Sequence, residues 1–169
     1  PGARVFGEVL PGNPWSNGGA FAQFAAVDEA CLAPIPDDLS YEEAASVPTA
    51  ALIALMNLRD QGRVRAGQRV LVNGAGGAVG VWAVQLATAL GADVTAVDGP
   101  AKLDLLSDLG ASTVIDYTQQ DITRMGTRFD MVFDVVAQAP FSQMRAALEP
   151  DGTYVLVGYD QYGRSGHRV

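Results

Sequence analysis

Residues 70–87 read VLVNGAGGAVGVWAVQLA and hold the glycines Gly74, Gly76, Gly77 and Gly80. An apolar run fit for a buried strand leads into this cluster, and a helical pattern leaves it. A strand that turns sharply into a helix leaves several backbone N–H groups without an intrahelical acceptor. Those donors, together with the positive end of the helix dipole, attract a phosphate. The phosphate approaches the main chain only where side chains are missing, which accounts for glycine. A last glycine, Gly80, lets the helix lie close to the strand. The strict spacing G-x-G-x-x-G is not met, because Ala75 takes the first place and Gly74 stands just before it. The pattern is better written G-x-x-G-x-x-G, running from Gly74 through Gly77, Ala78 and Val79 to Gly80. A bare tight turn would use the same residues. Placed after a strand, at the mouth of a helix and first in a series of such units, the cluster points to a dinucleotide.

Asp98 closes the next strand, 18 residues after Gly80. An acid at that place can bond the ribose hydroxyls of the adenosine half, which favours NAD. Lys102 lies four residues on and could reach a 2′-phosphate instead, which favours NADP. The two signals conflict, so the cofactor is expected to be NADP or NAD with the choice open. The plainer alternatives are a turn residue in Asp-Gly-Pro for Asp98 and a solvated helix residue for Lys102.

The sequence also excludes several classes. A net charge of −8 argues against nucleic-acid and anionic-membrane surfaces, which need basic clusters. Cys31 and His167 are the sole cysteine and histidine, so an ordinary zinc site and a Ser-His-Asp triad lack their residues, and no metal ligand is expected. A single cysteine fits a reducing, cytoplasmic setting. No apolar run reaches the roughly 18 residues of a membrane span.

The elements that must position these residues follow from patterning. Residues 1–39 read as β-rich and loop-rich, with strands at Arg4–Leu10 and Ala20–Val27 around the turn PGNPWSNGG. Ser40 and Glu43 fit a capping box, so a short helix should run to about Ser46. A longer helix should run from Ala50 to about Asp60, with Gly62 near its end; residues 40–68 are thus connecting helices. Residues 69–169 alternate strand and helix. Strands are expected at Arg69–Asn73, Asp93–Val97, Thr113–Asp116, Asp130–Val136 and Thr153–Val157. Helices are expected at Gly77–Leu90, Ala101–Leu109, Gln119–Arg124 and Phe141–Leu148. Gly91 and Gly110 fall just past helix ends. Apolar strands separated by helices make parallel βαβ units, and hence an α/β, doubly wound, Rossmann-type sheet.

RVLVNGAGGAVGVWAVQLATALGADVTAV resembles the zinc-independent medium-chain dehydrogenases and reductases of the quinone oxidoreductase branch. The likeness extends to GARVFG, GAFAQF, LAPIPDDLSYEEAASVPTAALIAL, LGASTVIDYTQQD, FDMVFDVV and GTYVLVG, in the family's order. It implies an enzyme that uses NAD(P)H to reduce quinones or activated C=C bonds of small molecules, without zinc. It also implies chains about twice as long, in which a GroES-like catalytic domain precedes the nucleotide domain and is rejoined after it. Residues 1–39 would then be the tail of that domain, the nucleotide domain would be truncated, and this piece alone would be inactive. The full-length protein is expected to be a homodimer joined through its nucleotide domains.

The resemblance also assigns roles. Gly74, Gly76, Gly77, Ala78, Val79 and Gly80 would wrap the pyrophosphate. Thr49 would face the nicotinamide side of the cleft, and Lys102 matches a position that often holds the 2′-phosphate. Tyr117 would line the adenine end. Val135, Val136 and Ala137, with Val157 and Gly158, would contact the nicotinamide ribose and ring. Three positions depart from the pattern: Ile53 in place of a common Thr, Ala137 in place of Gly, and Ala78 where Gly is commoner. By the same resemblance, the polar catalytic groups would lie in an N-terminal part that this sequence lacks, so no catalytic residue is assigned. Two other readings stay open: a nucleotide-binding module without turnover, and a zinc-free relative of the alcohol dehydrogenases.

Overall fold

The computed structural model describes residues 2–9 and 19–157, and the chain divides between Leu52 and Ile53 into two units. In the first, β1 (Val5–Gly7) pairs antiparallel with β2 (Leu32–Pro34), with Phe6 opposite Ala33. The strand expected at Ala20–Val27 does not form: residues 20–27 carry no regular structure, and Phe21 and Phe24 are 99% and 90% exposed. An apolar run with aromatic residues is fit for a sheet, but a strand exists only if another ladder accepts it, and β1 is paired with β2 instead. Trp15 and His167 lie outside the described residues.

Helix α1 (Tyr41–Ala45) begins as its spacing predicts. Ser40 Oγ accepts from the Glu43 N–H at 3.1 Å, and Glu43 Oε2 accepts from the Ser40 N–H at 2.8 Å. The Arg4 guanidinium sits 4.9 Å from the Tyr41 ring centroid and donates to the Leu39 carbonyl. The Ser40 backbone N–H, and then its hydroxyl, hold the Glu43 carboxyl below its ordinary pKa. Its contribution is therefore present above the unfolded pKa and is lost as the pH falls through the depressed folded value. Ser40→Ala is expected to cost about 1 kcal/mol in urea unfolding at neutral pH, and less once Glu43 is protonated.

Helix α2 (Pro48–Leu55) continues as a π-helical turn over Met56–Gln61, closed by the Gly62 N–H on the Asn57 carbonyl at 2.8 Å. The left-handed residue after it is Arg63, at φ 50°, not Gly62, whose φ is −76°. Gly62 answers a packing need: a Cβ there would lie 2.8 Å from the Met131 sulfur.

The second unit is built on β3 (Arg69–Asn73), β4 (Asp93–Asp98), β5 (Thr113–Asp116), β6 (Phe129–Asp134) and β7 (Leu148–Leu156). They form a parallel sheet in the order β5-β4-β3-β6-β7. The connecting helices are α3 (Ala78–Ala89), α4 (Leu103–Asp108) and α5 (Phe141–Met144). Two expected helices shorten to single 3₁₀ turns or pass into them, at Ile122–Arg124 and Arg145–Ala147. Leu148, expected to end a helix, instead opens β7. Gly91 and Gly110 take φ +82° and +103° past the ends of α3 and α4, as expected.

Both faces of the sheet are buried, because successive strand residues point to opposite sides. Val70, Val72, Val94, Ala96, Met131 and Phe133 pack with Ala83, Val84 and Ala87 of α3. Leu71, Val97, Ile115 and Val132 pack with Met144 and Ala147 on the other side. The order places β3 at the centre, between β4 and β6, where the direction of winding reverses. In such sheets ligands bind beyond the carboxyl ends of the strands, at this switch point. The glycine turn leaves β3 there.

Candidate functional site

Leaving β3, the N–H groups of Gly74 and Ala75 both donate to the Val97 carbonyl of β4 at 3.0 Å. Gly74 is left-handed at φ +79°, and a Cβ on it would strike the Val136 side chain. Gly77 is the N-cap of α3, extended at φ −84° and ψ 169°, with no side chain to cap the helix. The first helical bond runs from the Val81 N–H to the Gly77 carbonyl at 3.0 Å, so the N–H groups of Ala78, Val79 and Gly80 precede the ladder. A Cβ on Gly80 would sit 2.6 Å from the Ala75 carbonyl oxygen. The first turn of the helix lies too close to the main chain of the glycine turn, at Gly74 and Ala75, for any side chain. At Gly77 the contrast is sharp: a Cβ would meet only the Gly74 carbonyl, at 3.4 Å. That glycine keeps a space open at the helix mouth.

The acid at the end of β4 faces the same turn. Asp98 Oδ2 accepts from the Gly76 N–H at 2.7 Å, and Oδ1 accepts from the Gly99 N–H at 2.8 Å. Lys102 Nζ lies 3.4 Å from Oδ1, and its side chain is 47% exposed against 12% for Asp98. A Cβ on Gly76 would run into the flexible Lys102 side chain and lie 3.0 Å from Asp98 Oδ2, so a larger residue there would have to displace Lys102. Tyr117 is exposed beside this corner; its N–H donates to the Asp98 carbonyl at 3.3 Å, and its ring flanks Gly99. A cavity of about 350 Å³ opens at these strand ends, lined by Asn73, Val97, Tyr117, Ile122, Gln138 and Met144 among others. A larger hollow of about 620 Å³, between Arg128, Arg145 and Glu149, lies where β6 and β7 begin, at the opposite end of the sheet from the glycine turn.

The structure thus brings Gly74, Gly76, Gly77, Ala78, Val79, Gly80, Asp98, Lys102, Tyr117, Val135 and Val136 to one edge of the second unit. Val157 joins β6 through its N–H to the Asp134 carbonyl at 2.8 Å. Thr49 is exposed in the first turn of α2, in the first unit. Gly158 lies outside the described residues. Two polar residues escape a reading based on glycines and charges: Asn73 and Asp134, the last residues of neighbouring strands. Asn73 Nδ2 donates to Asp134 Oδ1 at 2.9 Å. The available signal was a polar residue ending an apolar strand in both RVLVN and FDMVFD.

The profile of the zinc-binding dehydrogenase family matches residues 78–166, more than half of the chain. The chain belongs to this family. It is a medium-chain dehydrogenase/reductase of quinone oxidoreductase type, as the sequence resemblance anticipates. It is 37% identical to the 2-methylene-furan-3-one reductase of Solanum lycopersicum, over 83% of this chain and 36% of that one. It is 43% identical to the spectinabilin polyketide synthase system protein NorB of Streptomyces orinoci, over 94% of this chain and 7% of that one. The quinone oxidoreductase from Coxiella burnetii superposes with a TM-score of 0.73 at 32% identity, over 82% of this chain and 44% of that chain. This medium-chain sequence therefore spans less than half the length of each of these relatives. Its parallel sheet and glycine turn are the Rossmann half of the medium-chain fold.

Proposed function

We propose that this chain is the nucleotide-holding part of an NADPH-dependent reductase that delivers hydride to an activated C=C bond or a quinone without zinc. The observation that carries the reading is the open N-cap at Gly77. It exposes the first N–H groups of a 12-residue helix beside a half-exposed lysine. That pairing suits a pyrophosphate next to a 2′-phosphate. Supporting the substrate class are the relatives named for a methylene-furanone, in which a C=C bond is conjugated to a carbonyl, and for a quinone.

In this reading the N–H groups of Ala78, Val79 and Gly80 hold the pyrophosphate, with Gly74, Gly76 and Gly77 giving it access. Tyr117 lines the adenine end. Val135, Val136 and Val157 flank the nicotinamide ribose and ring. The bound cofactor supplies a hydride to the electron-poor carbon. NADPH is preferred because of how Asp98 is occupied. A carboxylate has about four acceptor sites, and three donors already face this one. Little is left for two ribose hydroxyls, while the Lys102 ammonium has an exposed side.

Fluorescence titration with NADPH and NADH, beside oxidation assays with a quinone and an enone, tests the proposal. Binding without turnover in the full-length protein would leave a nucleotide-binding module. Failure to bind either cofactor would remove the reading altogether. Lys102→Ala should weaken NADPH about tenfold, the size of one charge-assisted hydrogen bond, and leave NADH within about twofold. Equal losses for both cofactors would count against the 2′-phosphate role.

A further inference from the structure

Asp134 ends β6 beside β3, at the switch point, and it is fully buried. Its carboxylate accepts from four donors. Oδ1 takes Asn73 Nδ2 at 2.9 Å, the Val136 N–H at 3.1 Å and the Ala137 N–H at 2.9 Å. Oδ2 takes the Tyr154 hydroxyl, from β7, at 2.7 Å. The main chain is tied in the same place: the Val135 N–H donates to the Asn73 carbonyl at 3.0 Å, and the Val157 N–H to the Asp134 carbonyl at 2.8 Å. One carboxylate therefore gathers the ends of three adjacent strands, β3, β6 and β7.

The segment it grips is strained. Ala137 is buried and left-handed at φ 54°, a conformation that costs a non-glycine residue roughly 1–2 kcal/mol. Such a residue persists only where its surroundings over-determine it, and such residues cluster at ligand sites. Here the over-determination is visible, since Asp134 Oδ1 binds two successive N–H groups and bends residues 135–137 around itself. A buried carboxylate is costly unless it is hydrogen-bonded, and the four partners that satisfy this one also give residues 135–137 one fixed shape.

We infer that Asp134, with Asn73 and Tyr154 as its supports, is a positioning residue that sets the wall at Val135–Ala137 for the nicotinamide half of the cofactor. The inference rests on the cofactor reading given above. Asp134 touches no solvent, so it acts through the main chain and not on the reacting atoms.

The test compares two probes on the same protein: NADPH, and adenosine 2′,5′-bisphosphate, which lacks the nicotinamide half. Asp134→Ala should weaken NADPH about tenfold and leave the adenosine fragment within about twofold. Asp134→Asn should restore NADPH to within about twofold, because the amide oxygen accepts at the Oδ1 place and the amide nitrogen can donate to Tyr154. Hydrogen exchange without cofactor gives a second readout: the Ala137 amide should lose protection in Asp134→Ala and keep it in Asp134→Asn. Should Asp134→Ala not fold, Tyr154→Phe removes a single donor and should weaken NADPH about threefold, again sparing the fragment. Equal weakening of both probes, or unchanged NADPH binding, would overturn the inference. Wild-type protein that binds the fragment but gains nothing from the nicotinamide half would also overturn it, with the adenosine end of the cofactor reading intact. Wild-type protein that binds neither probe would overturn both.

Discussion

Gly77→Leu is expected to raise the Kd for NADPH at least about 100-fold while changing the unfolding free energy by only about 1 kcal/mol. The two halves of this expectation come from different observations. The backbone at Gly77 is extended at φ −84°, a conformation open to any residue, and a Cβ there meets only one carbonyl oxygen, at 3.4 Å. Folding therefore has little reason to object. Any further side-chain atoms, however, must occupy the space above the N–H groups of Ala78, Val79 and Gly80, where the pyrophosphate is proposed to sit. Losing two or three charge-assisted hydrogen bonds there removes several kcal/mol of binding. Urea unfolding and fluorescence titration on the same preparation check both halves. Retained NADPH affinity would place the diphosphate elsewhere. A large stability loss would mean that Gly77 is a folding glycine like Gly80, whose Cβ would overlap main chain.

That contrast between two glycines marks what the sequence could tell and what it could not. The turn G-A-G-G-A-V-G, the strands that flank it and the capping box at Ser40 are local patterns, and local patterns are legible: each is decided by residues within a few positions. The spacing placed Gly80 at a close approach and Gly77 at a helix mouth, and both stand there. Pairing is different. Ala20–Val27 is an apolar, Phe-containing run of strand length, but no ladder among the described residues takes it, and local composition does not say which neighbour a strand will find. The packing at Gly62 was hidden for a similar reason, since the contact with Met131 comes from 69 residues away.

The site repeats the lesson. Asp98 and Lys102 were legible as alternatives, because one favours a ribose and the other a phosphate. Only the structure shows Asp98 already engaged by the Gly76 and Gly99 N–H groups. Asp134 was passed over as one more residue of a strand. Its meaning lies in Asn73, 61 positions away, and Tyr154, 20 positions away, which meet it only after three strands pair. A lone acid at the end of an apolar strand has no local signature that separates a hub from a solvated edge.

Phe133→Ala is expected to destabilise the protein by about 3–5 kcal/mol, against a total stability of about 5–15 kcal/mol for a typical domain. Phe133 is fully buried in β6, between β3 and β7, and packs in the core shared with Ala83, Val84 and Ala87 of α3. Close-packed strands cannot collapse into the space its ring leaves, so the loss includes a cavity as well as transfer to water. Phe21→Ala is the control, because a ring 99% exposed has nothing to lose and should change stability by no more than about 0.5 kcal/mol. Urea unfolding of the two variants measures the difference; a loss below about 1 kcal/mol for Phe133→Ala would mean that the sheet around β6 relaxes to fill the void. The position also bears on binding, since Phe133 immediately precedes Asp134 in the chain. A cavity beneath that residue loosens the strand end whose hydrogen bonds hold Val136 and Ala137. The folded fraction of Phe133→Ala should therefore bind NADPH more weakly than wild type, while the adenosine fragment, held from β4 and the glycine turn, is retained.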